Sequence, residues 1–204
     1  MAKLILASSS PYRKALLERL GLKFSCVSPE IDEDAYKASV KDPIELAETL
    51  AYEKAKKIQQ DAPEAVVVGS DQLLEFQGQI FGKAGSLEKA CEQLTLLSGK
   101  SHRLVTSYCV IHPDGQHIET NITTLTMRKL EVDSIKNYLR TDNPIDCAGS
   151  YKLELNGIAL FEKIDTDDYT AIIGLPLLSL GNYLNQIGVP VPPKKPTGAE
   201  GEIK

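Results

Sequence analysis

Three groups of residues in this sequence have the types and spacing that phosphate chemistry needs, and the first lies near the N-terminus. The run Ser8-Ser9-Ser10-Pro11-Tyr12-Arg13 follows a short apolar segment and opens a helical pattern. Ser10 is a suitable N-cap, because Pro11 at the first helical position has no N–H to leave unbonded. The free N–H groups and the positive end of the helix dipole favour a phosphate, which Arg13 could bind bidentately. Simple capping, with Arg13 in solvent, explains the run equally well.

The second group is Gly69-Ser70-Asp71-Gln72, which directly follows the apolar run Val66-Val67-Val68. A continuous run of β-branched residues is typical of a central strand that is buried on both faces. A carboxylate at the end of such a strand is costly to bury unless it binds a metal ion or accepts a proton. The alternative is an Asp that only closes a turn on its own backbone. The position of Asp71 favours the functional interpretation.

The third group consists of acids and lysines, namely Asp32-Glu33, Lys54, Gly82-Lys83 and Tyr151-Lys152-Leu153-Glu154. Divalent cations prefer carboxylate and phosphate oxygens, and lysines neutralise phosphates. Each of these charges taken singly is more often a solvated surface group. Lys54 is the most informative, because it borders the apolar face of its predicted helix. All three groups are predicted where a strand passes into a loop or helix, and ligands of α/β proteins gather at such strand ends.

The elements that must position these groups alternate between strands and helices in the first half of the chain. Apolar and β-branched runs predict strands at residues 4–7, 24–27 and 65–69, a short hairpin at 73–81, a long hairpin at 102–127 and a strand at 158–161. Apolar residues at helical spacing predict helices at residues 10–21, 42–59, 86–99, 132–139 and 176–188. Early alternation followed by a long hairpin predicts an α/β protein with a mixed sheet.

Composition limits the partners and the location. The 204 residues are 42% hydrophobic and 25% charged, with a net charge of −5, which suits one domain with a proper core. No stretch concentrates Lys and Arg, so a nucleic-acid polymer is not expected as a partner. The apolar run near the N-terminus is too short for a signal peptide or membrane span, which predicts a cytoplasmic protein without a membrane partner. The four scattered cysteines favour reduced thiols over a zinc or redox site.

The same features predict how the chain is divided. We expect a single domain at residues 1–189. The segment 190–204 is rich in Pro, Lys and Gly and has no periodic apolar residue, so we expect it to be a disordered tail.

Taken in order, these segments resemble the successive motifs of the Maf-like nucleotide pyrophosphatases. The matching runs are Leu6-Ala7-Ser8-Ser9-Ser10-Pro11-Tyr12-Arg13, Asp32-Glu33, Glu53-Lys54-Ala55, Gly69-Ser70-Asp71, Gly82-Lys83 and Ser98-Gly99-Lys100-Ser101-His102-Arg103-Leu104-Val105-Thr106. The ordered set is specific, and it extends to about Gly188. The resemblance implies a Maf/ITPase-like α/β fold, with a mixed twisted sheet flanked by helices and two lobes around a central cleft. It also implies a cytoplasmic enzyme that cuts a nucleoside triphosphate between its α and β phosphates, using Mg²⁺, Mn²⁺ or Co²⁺.

The resemblance assigns roles residue by residue. Asp71 matches the family's proton acceptor and is expected at the metal with Glu33, while Glu30 and Asp32 stay open as other metal contacts. Water activated by Asp71 and the metal would attack the α-phosphorus, and pyrophosphate would leave as cationic side chains stabilise its charge. The positions that hold phosphates match Ser8, Arg13, Lys54, Lys83 and Lys152.

Differences from the family's commoner branch, which acts on dTTP and UTP, indicate which base the enzyme is expected to accept. That branch has Ala-Asp-Thr at the acid and Asp-Lys-Ala-Gly later, whereas this chain has Gln72 after the acid and Cys147 in place of the later lysine. The arrangement is similar to the 7-methyl-GTP branch. That resemblance implies that Tyr12, Gln72 and Glu154 are the positions that determine substrate specificity. Independently, an acceptor carboxylate and an aromatic face suit a guanine that methylation has made cationic.

Two other interpretations stay open. One is a pyrophosphatase that prefers dTTP, UTP or another modified nucleotide. The other is a nucleotide-binding regulator of cell division with negligible turnover, against which the retained Asp71 argues, because a pure binder needs no proton acceptor. House-cleaning of modified nucleotides is the expected purpose, and a homodimer is an open possibility for the assembly.

Overall fold

The computed structural model describes residues 3–193 as a mixed α/β structure built on a seven-stranded sheet. The strands are β1 (Leu4–Ala7), β2 (Ser25–Cys26), β3 (Val66–Phe76), β4 (Gln79–Phe81), β5 (Ser101–His112), β6 (Gly115–Met127) and β7 (Phe161–Asp165). Their order is β2-β1-β3-β5-β6-β7, and β4 pairs with β3. β1 is parallel to β2 and β3, while all other pairs are antiparallel. The predicted mixed sheet is confirmed.

Helices cover both faces of this sheet and divide the core into two lobes. They are α1 (Pro11–Glu18), α2 (Glu33–Ser39), α3 (Pro43–Gln59), α4 (Leu87–Leu97), α5 (Val132–Asp142), the 3-10 helix Asn156–Leu160, α6 (Tyr169–Ile173) and α7 (Leu177–Gln186). In the first lobe, α3 packs on one face of β1 and β3, and α1 and α7 pack on the other. In the second lobe, α4 and α5 pack on the far halves of β3, β5 and β6 around Leu74, Leu94 and Leu104.

A gap in the sheet beside β3 lies between the two lobes. β1 ends at Ala7, which pairs with Gly69, and β4 pairs with β3 only from Leu74 onward. Since β5 occupies the other edge of β3 along this stretch, residues 70–73 have open space where a neighbouring strand would lie. Asp71 is therefore in the middle of a long strand, and the prediction that the strand ends at Gly69 is wrong. The end of β1, not of β3, creates the opening.

Sequence patterns located the long elements and missed the short ones. Helices α1, α3, α4, α5 and α7 and the long hairpin of β5 and β6 are confirmed. The strand predicted at 158–161 is wrong, because the 3-10 helix runs to Leu160 and β7 begins at Phe161. Helices α2 and α6 were not predicted, because each is too short to show an apolar period. Both begin at an Asp N-cap, since Asp32 accepts from Ala35 N and Asp168 from Thr170 N.

The first residues of the predicted tail pack against α7. The side-chain amide of Asn185 bonds both the N–H and the C=O of Val191 at 2.8 Å. The remainder of that tail, residues 194–204, lies outside the described residues, so the domain boundary stays a prediction. No helix among residues 3–193 is both long enough and apolar enough to cross a membrane.

Gly69 lets α3 approach β3 closely, and its replacement by Ala should destabilise the protein. An added Cβ would clash with the carbonyl oxygen of Ala51 and lie 2.7 Å from the backbone nitrogen of Ala55. We expect the free energy of unfolding to fall by about 3 kcal/mol in urea denaturation, because neither backbone group can move away without shifting the helix. Gly82→Ala is the control, since a Cβ there meets nothing within 4 Å. Equal stability of the two variants would contradict this account.

Candidate active site

A cleft of about 740 Å³ opens at the gap between β1 and β4. One wall comes from the end of β1 and the start of α1, and the other from the loop that follows α5. Nine of the ten predicted site residues line this cleft, namely Ser8, Tyr12, Arg13, Glu33, Lys54, Asp71, Gln72, Lys83 and Glu154. The tenth, Lys152, is not a lining residue, but its ammonium approaches two residues that are, Tyr12 and Asp146. The fold therefore brings together side chains that are widely separated along the chain.

The ammonium of Lys54 joins two carboxylates on the floor of the cleft. Its Nζ lies 2.6 Å from Oδ1 of Asp71 and 2.7 Å from Oε1 of Glu33. Lys54 and Asp71 are both only 6% exposed, so this pair is shielded from water, whereas Glu33 is partly open to the cleft. Burial by itself would raise the pKa of Glu33, but the hydrogen bond and charge of Lys54, with a smaller contribution from Lys37, hold it below the ordinary value.

The converging carboxylates of Glu33 and Asp71 could hold a divalent ion only if the ligand completes its coordination. Among residues 3–193 there is no group of three or more His, Cys, Asp or Glu side chains placed to bind a metal. Mg²⁺ is commonly bound by one or two carboxylates together with substrate phosphates, which fits this arrangement. Of the two other acids left open by the sequence, Glu30 lines the cleft, and Asp32 uses its carboxylate to cap α2.

The predicted phosphate-binding residues lie beside this floor. The Oγ of Ser8 accepts a hydrogen bond from the backbone N–H of Ser10 at 3.1 Å, which shapes the loop before α1. Arg13 donates from Nε to the carbonyl of Gly174 at 3.0 Å. Burial lowers the pKa of Arg13, although the charges of Asp71 and Glu33 oppose the shift. Lys83 is exposed at the opposite lip. The cleft therefore offers cations on both sides of a bound anion.

Tyr12 connects the two lips of the cleft. Its hydroxyl donates to Oδ2 of Asp146 at 2.9 Å, and burial raises the pKa of Tyr12 to about 12. Lys152 approaches the same carboxylate, with Nζ 3.4 Å from Oδ1 of Asp146 and 5.7 Å from the centre of the Tyr12 ring. The ammonium of Lys152 also donates to the carbonyl of Asn143 at 3.2 Å. Lys152 thus holds the lip of the cleft, and its role at a phosphate stays a prediction.

The two other predicted specificity positions, Gln72 and Glu154, differ in their contacts with the protein. The side-chain nitrogen of Gln72 lies within 3.0 Å of Thr106 Oγ1 and of the carbonyl oxygens of Ala171 and Ile172. Glu154 is exposed at the edge of the cleft. The amide of Gln72 and the exposed carboxylate of Glu154 both have oxygens that can accept hydrogen bonds from a ligand.

Sequence reasoning missed several residues of the cleft. Lys37 lines it from α2, and Asp146 and Phe81 line it from the second lobe. A prediction of α2 would have indicated that Lys37 lies near the site, because Lys37 is one helical turn after Glu33. Asp146 directly precedes Cys147 and matches the first residue of the family's Asp-Lys-Ala-Gly motif, but it was given no role in the predicted site. The carbonyl groups of α6 carry no sequence signal, because every residue has one.

His102 supports the cleft from inside the second lobe. Its Nε2 lies 3.0 Å from the hydroxyl of Tyr151, a residue of the cleft wall. The rings of His102, Tyr151 and Phe161 pack together, with centroids 4.9 to 5.9 Å apart. Burial lowers the pKa of His102 to about 4, so the ring is neutral at neutral pH.

The mixed sheet and this cleft define an α/β protein whose polar cleft suits an anionic ligand. The chain belongs to the Maf-like protein family, whose sequence profile matches residues 3–187. It is 48% identical over 182 residues to the 7-methyl-GTP pyrophosphatase of Bdellovibrio bacteriovorus, which covers 89% of this chain and 95% of that protein. It is 43% identical to the enzyme of the same name from Xanthomonas axonopodis pv. citri, over 94% of this chain and all of the relative.

Matches among solved structures are more distant. A HAM1 protein from Coxiella burnetii has 14% sequence identity and a TM-score of 0.48, with 91% of this chain and 100% of that chain covered. The family assignment therefore rests on the sequence relatives.

Replacement of His102 by Gln should change how stability depends on pH. A histidine titrates near 6.5 in an unfolded chain, and in the folded protein the pKa of His102 is about 4. Between these values only the unfolded state binds the proton, so stability falls as the pH is lowered, by up to ~1.4 kcal/mol per pH unit. The variant should lack this contribution when urea unfolding is measured from pH 6.5 down to 4. Parallel curves for the two proteins would contradict the assignment.

Proposed function

We propose that this protein hydrolyses a nucleoside triphosphate, preferably 7-methyl-GTP, to the nucleoside monophosphate and pyrophosphate. The observation that carries the proposal is the buried pair of Lys54 and Asp71 on the floor of a cleft that also presents Arg13 and Lys83. A carboxylate beside cations is what the removal of a proton from water near a phosphate requires. The full-length similarity to two enzymes named 7-methyl-GTP pyrophosphatase supports the same reaction.

Asp71 would accept the proton of the attacking water. Its Oδ1 is held by Lys54 at 2.6 Å, which leaves Oδ2 as the oxygen that can face the water. Attack on the α-phosphorus forms one P–O bond and breaks the bond to the β-phosphate oxygen, so pyrophosphate takes the released charge. Arg13 and Lys83 would stabilise that charge from the two sides of the cleft. Chemistry of this kind depends on positioning and charge, and no covalent intermediate is needed.

Glu33 and Asp71 would also hold a divalent cation, Mg²⁺, Mn²⁺ or Co²⁺, together with phosphate oxygens. Such an ion lowers the pKa of bound water and neutralises developing charge. The support is that the two carboxylates lie close enough together to share one cationic group, the ammonium of Lys54, at 2.6 and 2.7 Å. The cytoplasmic location and the homodimer stay predictions.

The base would lie at the end of the cleft formed by Tyr12, Gln72 and Glu154. A carboxylate suits a base that donates hydrogen bonds and carries a positive charge, as guanine methylated at N7 does. Thymine and uracil present fewer donors on this edge and would make fewer hydrogen bonds with the carboxylate of Glu154. These contacts support 7-methyl-GTP over dTTP or UTP.

Pyrophosphate release from a panel of triphosphates tests the reaction and the base together. With Mg²⁺, Mn²⁺ or Co²⁺ added, we expect 7-methyl-GTP to be hydrolysed faster than GTP, dTTP, UTP or CTP. Asp71→Asn should lower kcat by about 10²–10⁴-fold, because the amide cannot accept the proton. Asp61→Asn, at an exposed position after α3, is the matched control and should keep full activity. Preference for dTTP or UTP would overturn the base assignment, and binding without any turnover would favour the regulator of cell division.

Replacement of Lys54 by Met should affect catalysis much more than the loss of a neighbouring lysine. Met fills a similar volume but leaves Asp71 and Glu33 facing each other without their shared cation. We expect kcat/KM to fall by about 10²–10³-fold, the usual cost of removing a charge from such a site. Lys56→Met on the same helix, where the ammonium is exposed, is the control. Similar losses in both variants would argue against a specific role for Lys54.

A further inference from the structure

The carboxyl end of the short helix α6 accepts hydrogen bonds from four side chains in or beside the cleft. The last carbonyl groups of a helix have no partner within the helix and need donors from elsewhere. Here the carbonyl of Gly174 accepts from Arg13 Nε at 3.0 Å and from Ser70 Oγ at 2.9 Å. The carbonyls of Ala171 and Ile172 accept from the side-chain nitrogen of Gln72 at 2.8 and 3.0 Å. The same helix end therefore positions a phosphate-side residue and a base-side residue.

These contacts determine which end of the Gln72 amide faces the cleft. A carbonyl oxygen can only accept a hydrogen bond, so the atom of Gln72 that faces two carbonyls must be the nitrogen. The amide oxygen is then directed away from α6. Among residues 3–193 no protein group donates to that oxygen. Since Gln72 lines the cleft, its free oxygen is available to a ligand as an acceptor.

Thr106 completes this arrangement from the neighbouring strand. It is the direct cross-strand partner of Gln72 and is 1% exposed. Its hydroxyl lies 3.0 Å from the carbonyl of Ala171, which must accept the hydroxyl proton. The oxygen of Thr106 is therefore free to accept from the Gln72 nitrogen, 3.0 Å away. The two protons of the nitrogen thus face three acceptor oxygens, whereas a reversed amide would place its own oxygen against two carbonyls that cannot donate.

The cap of α6 keeps these carbonyls in place. Asp168 accepts from both the N–H and the hydroxyl of Thr170, at 2.8 and 2.6 Å, and from the N–H of Leu178 at 2.7 Å. The hydroxyl of Thr170 in turn accepts from the N–H of Leu177 at 2.7 Å. One carboxylate thereby ties the start of α6 to the start of α7, so the carbonyl end of α6 is a fixed reference for Gln72.

We propose that Thr106 and the carbonyl end of α6 are positioning groups that fix the Gln72 amide with its oxygen toward the base. The cleft then selects bases that donate a hydrogen bond at this point and disfavours bases that present an acceptor there. The inference rests on the proposed function, because it takes the bound molecule to be a nucleotide. The Watson–Crick edge of guanine offers two donors, at N1 and at the 2-amino group, which suits the acceptors of Gln72 and Glu154.

Variants of Thr106 test the positioning role. Thr106→Val keeps the shape but removes the hydroxyl, and we expect kcat/KM for 7-methyl-GTP to fall about 2–10-fold, the value of one neutral hydrogen bond. The loss should lie mainly in KM and should be smaller for UTP. Thr106→Ser should restore activity. Thr126→Val is the control, because that hydroxyl bonds Ser101 at 2.9 Å on the neighbouring strand outside the cleft. Equal losses for both nucleotides, or no rescue by Ser, would overturn the positioning role.

Substrate analogues test the acceptor itself. The compounds 7-methyl-ITP and 1,7-dimethyl-GTP each remove one donor of the guanine edge. Their kcat/KM relative to 7-methyl-GTP is compared in the natural protein and in Gln72→Met. For at least one analogue, the decrease in kcat/KM relative to 7-methyl-GTP should be about 2–10-fold larger in the natural protein than in Gln72→Met. Only the natural protein has an acceptor that the analogue leaves unpaired. Equal losses in both proteins would overturn the inference.

A failure of the inference about Gln72 can be distinguished from a failure of the proposed function. If the natural protein hydrolyses no triphosphate, the proposed reaction fails. The same comparison is then made with the affinities of 7-methyl-GMP and its two analogues, measured by calorimetry. A difference between the natural protein and Gln72→Met would still support the acceptor, and the lack of one would overturn it.

Discussion

A buried carboxylate is stable only with a cation or several donors beside it, and this requirement organises the cleft. Asp71 lies on the central strand β3, where water cannot compensate its charge. Lys54 supplies the compensation from α3 at 2.6 Å, and α3 can deliver it because Gly69 allows the helix backbone to approach the strand. Removing one member of such a pair costs far more than the pair itself contributes. Strand, glycine, helix and lysine therefore form one unit that places a charged oxygen inside the fold.

The second requirement is access, and the sheet provides it by an interruption. β1 and β4 both pair with the same edge of β3, but they leave residues 70–73 without a strand neighbour. A ligand can reach Asp71 and Gln72 from this side while β5 keeps the strand rigid on the other. Since adjacent residues of a strand point to opposite faces, Asp71 meets α3 whereas Gln72 meets α6. One strand thereby presents a carboxylate and an amide to two ends of the same cleft.

Much of the fold and most of the candidate site could be predicted from local patterns. The helical periods, the helix start at Pro11 and the alternation of the long hairpin led to the right elements, because each is a property of a short window of sequence. Helices α2 and α6 were missed because a helix of one or two turns shows no apolar period, although each begins at an Asp N-cap, Asp32 for α2 and Asp168 for α6. The error at residues 158–161 has the same origin, since a short apolar run fits a strand or a 3-10 helix equally well.

The sequence by itself determined which residue types are available for chemistry, the mixed α/β class and the membership of Asp71, Lys54 and Arg13 in a common site. Only the tertiary structure decided what each of them contacts. It brought Glu33 and Asp71 to one ammonium, paired Lys152 with Asp146, and turned the Gln72 nitrogen toward α6. The physical reason is that these contacts join groups far apart in the chain, and several use backbone carbonyls, which are identical in every residue and leave no trace in a sequence.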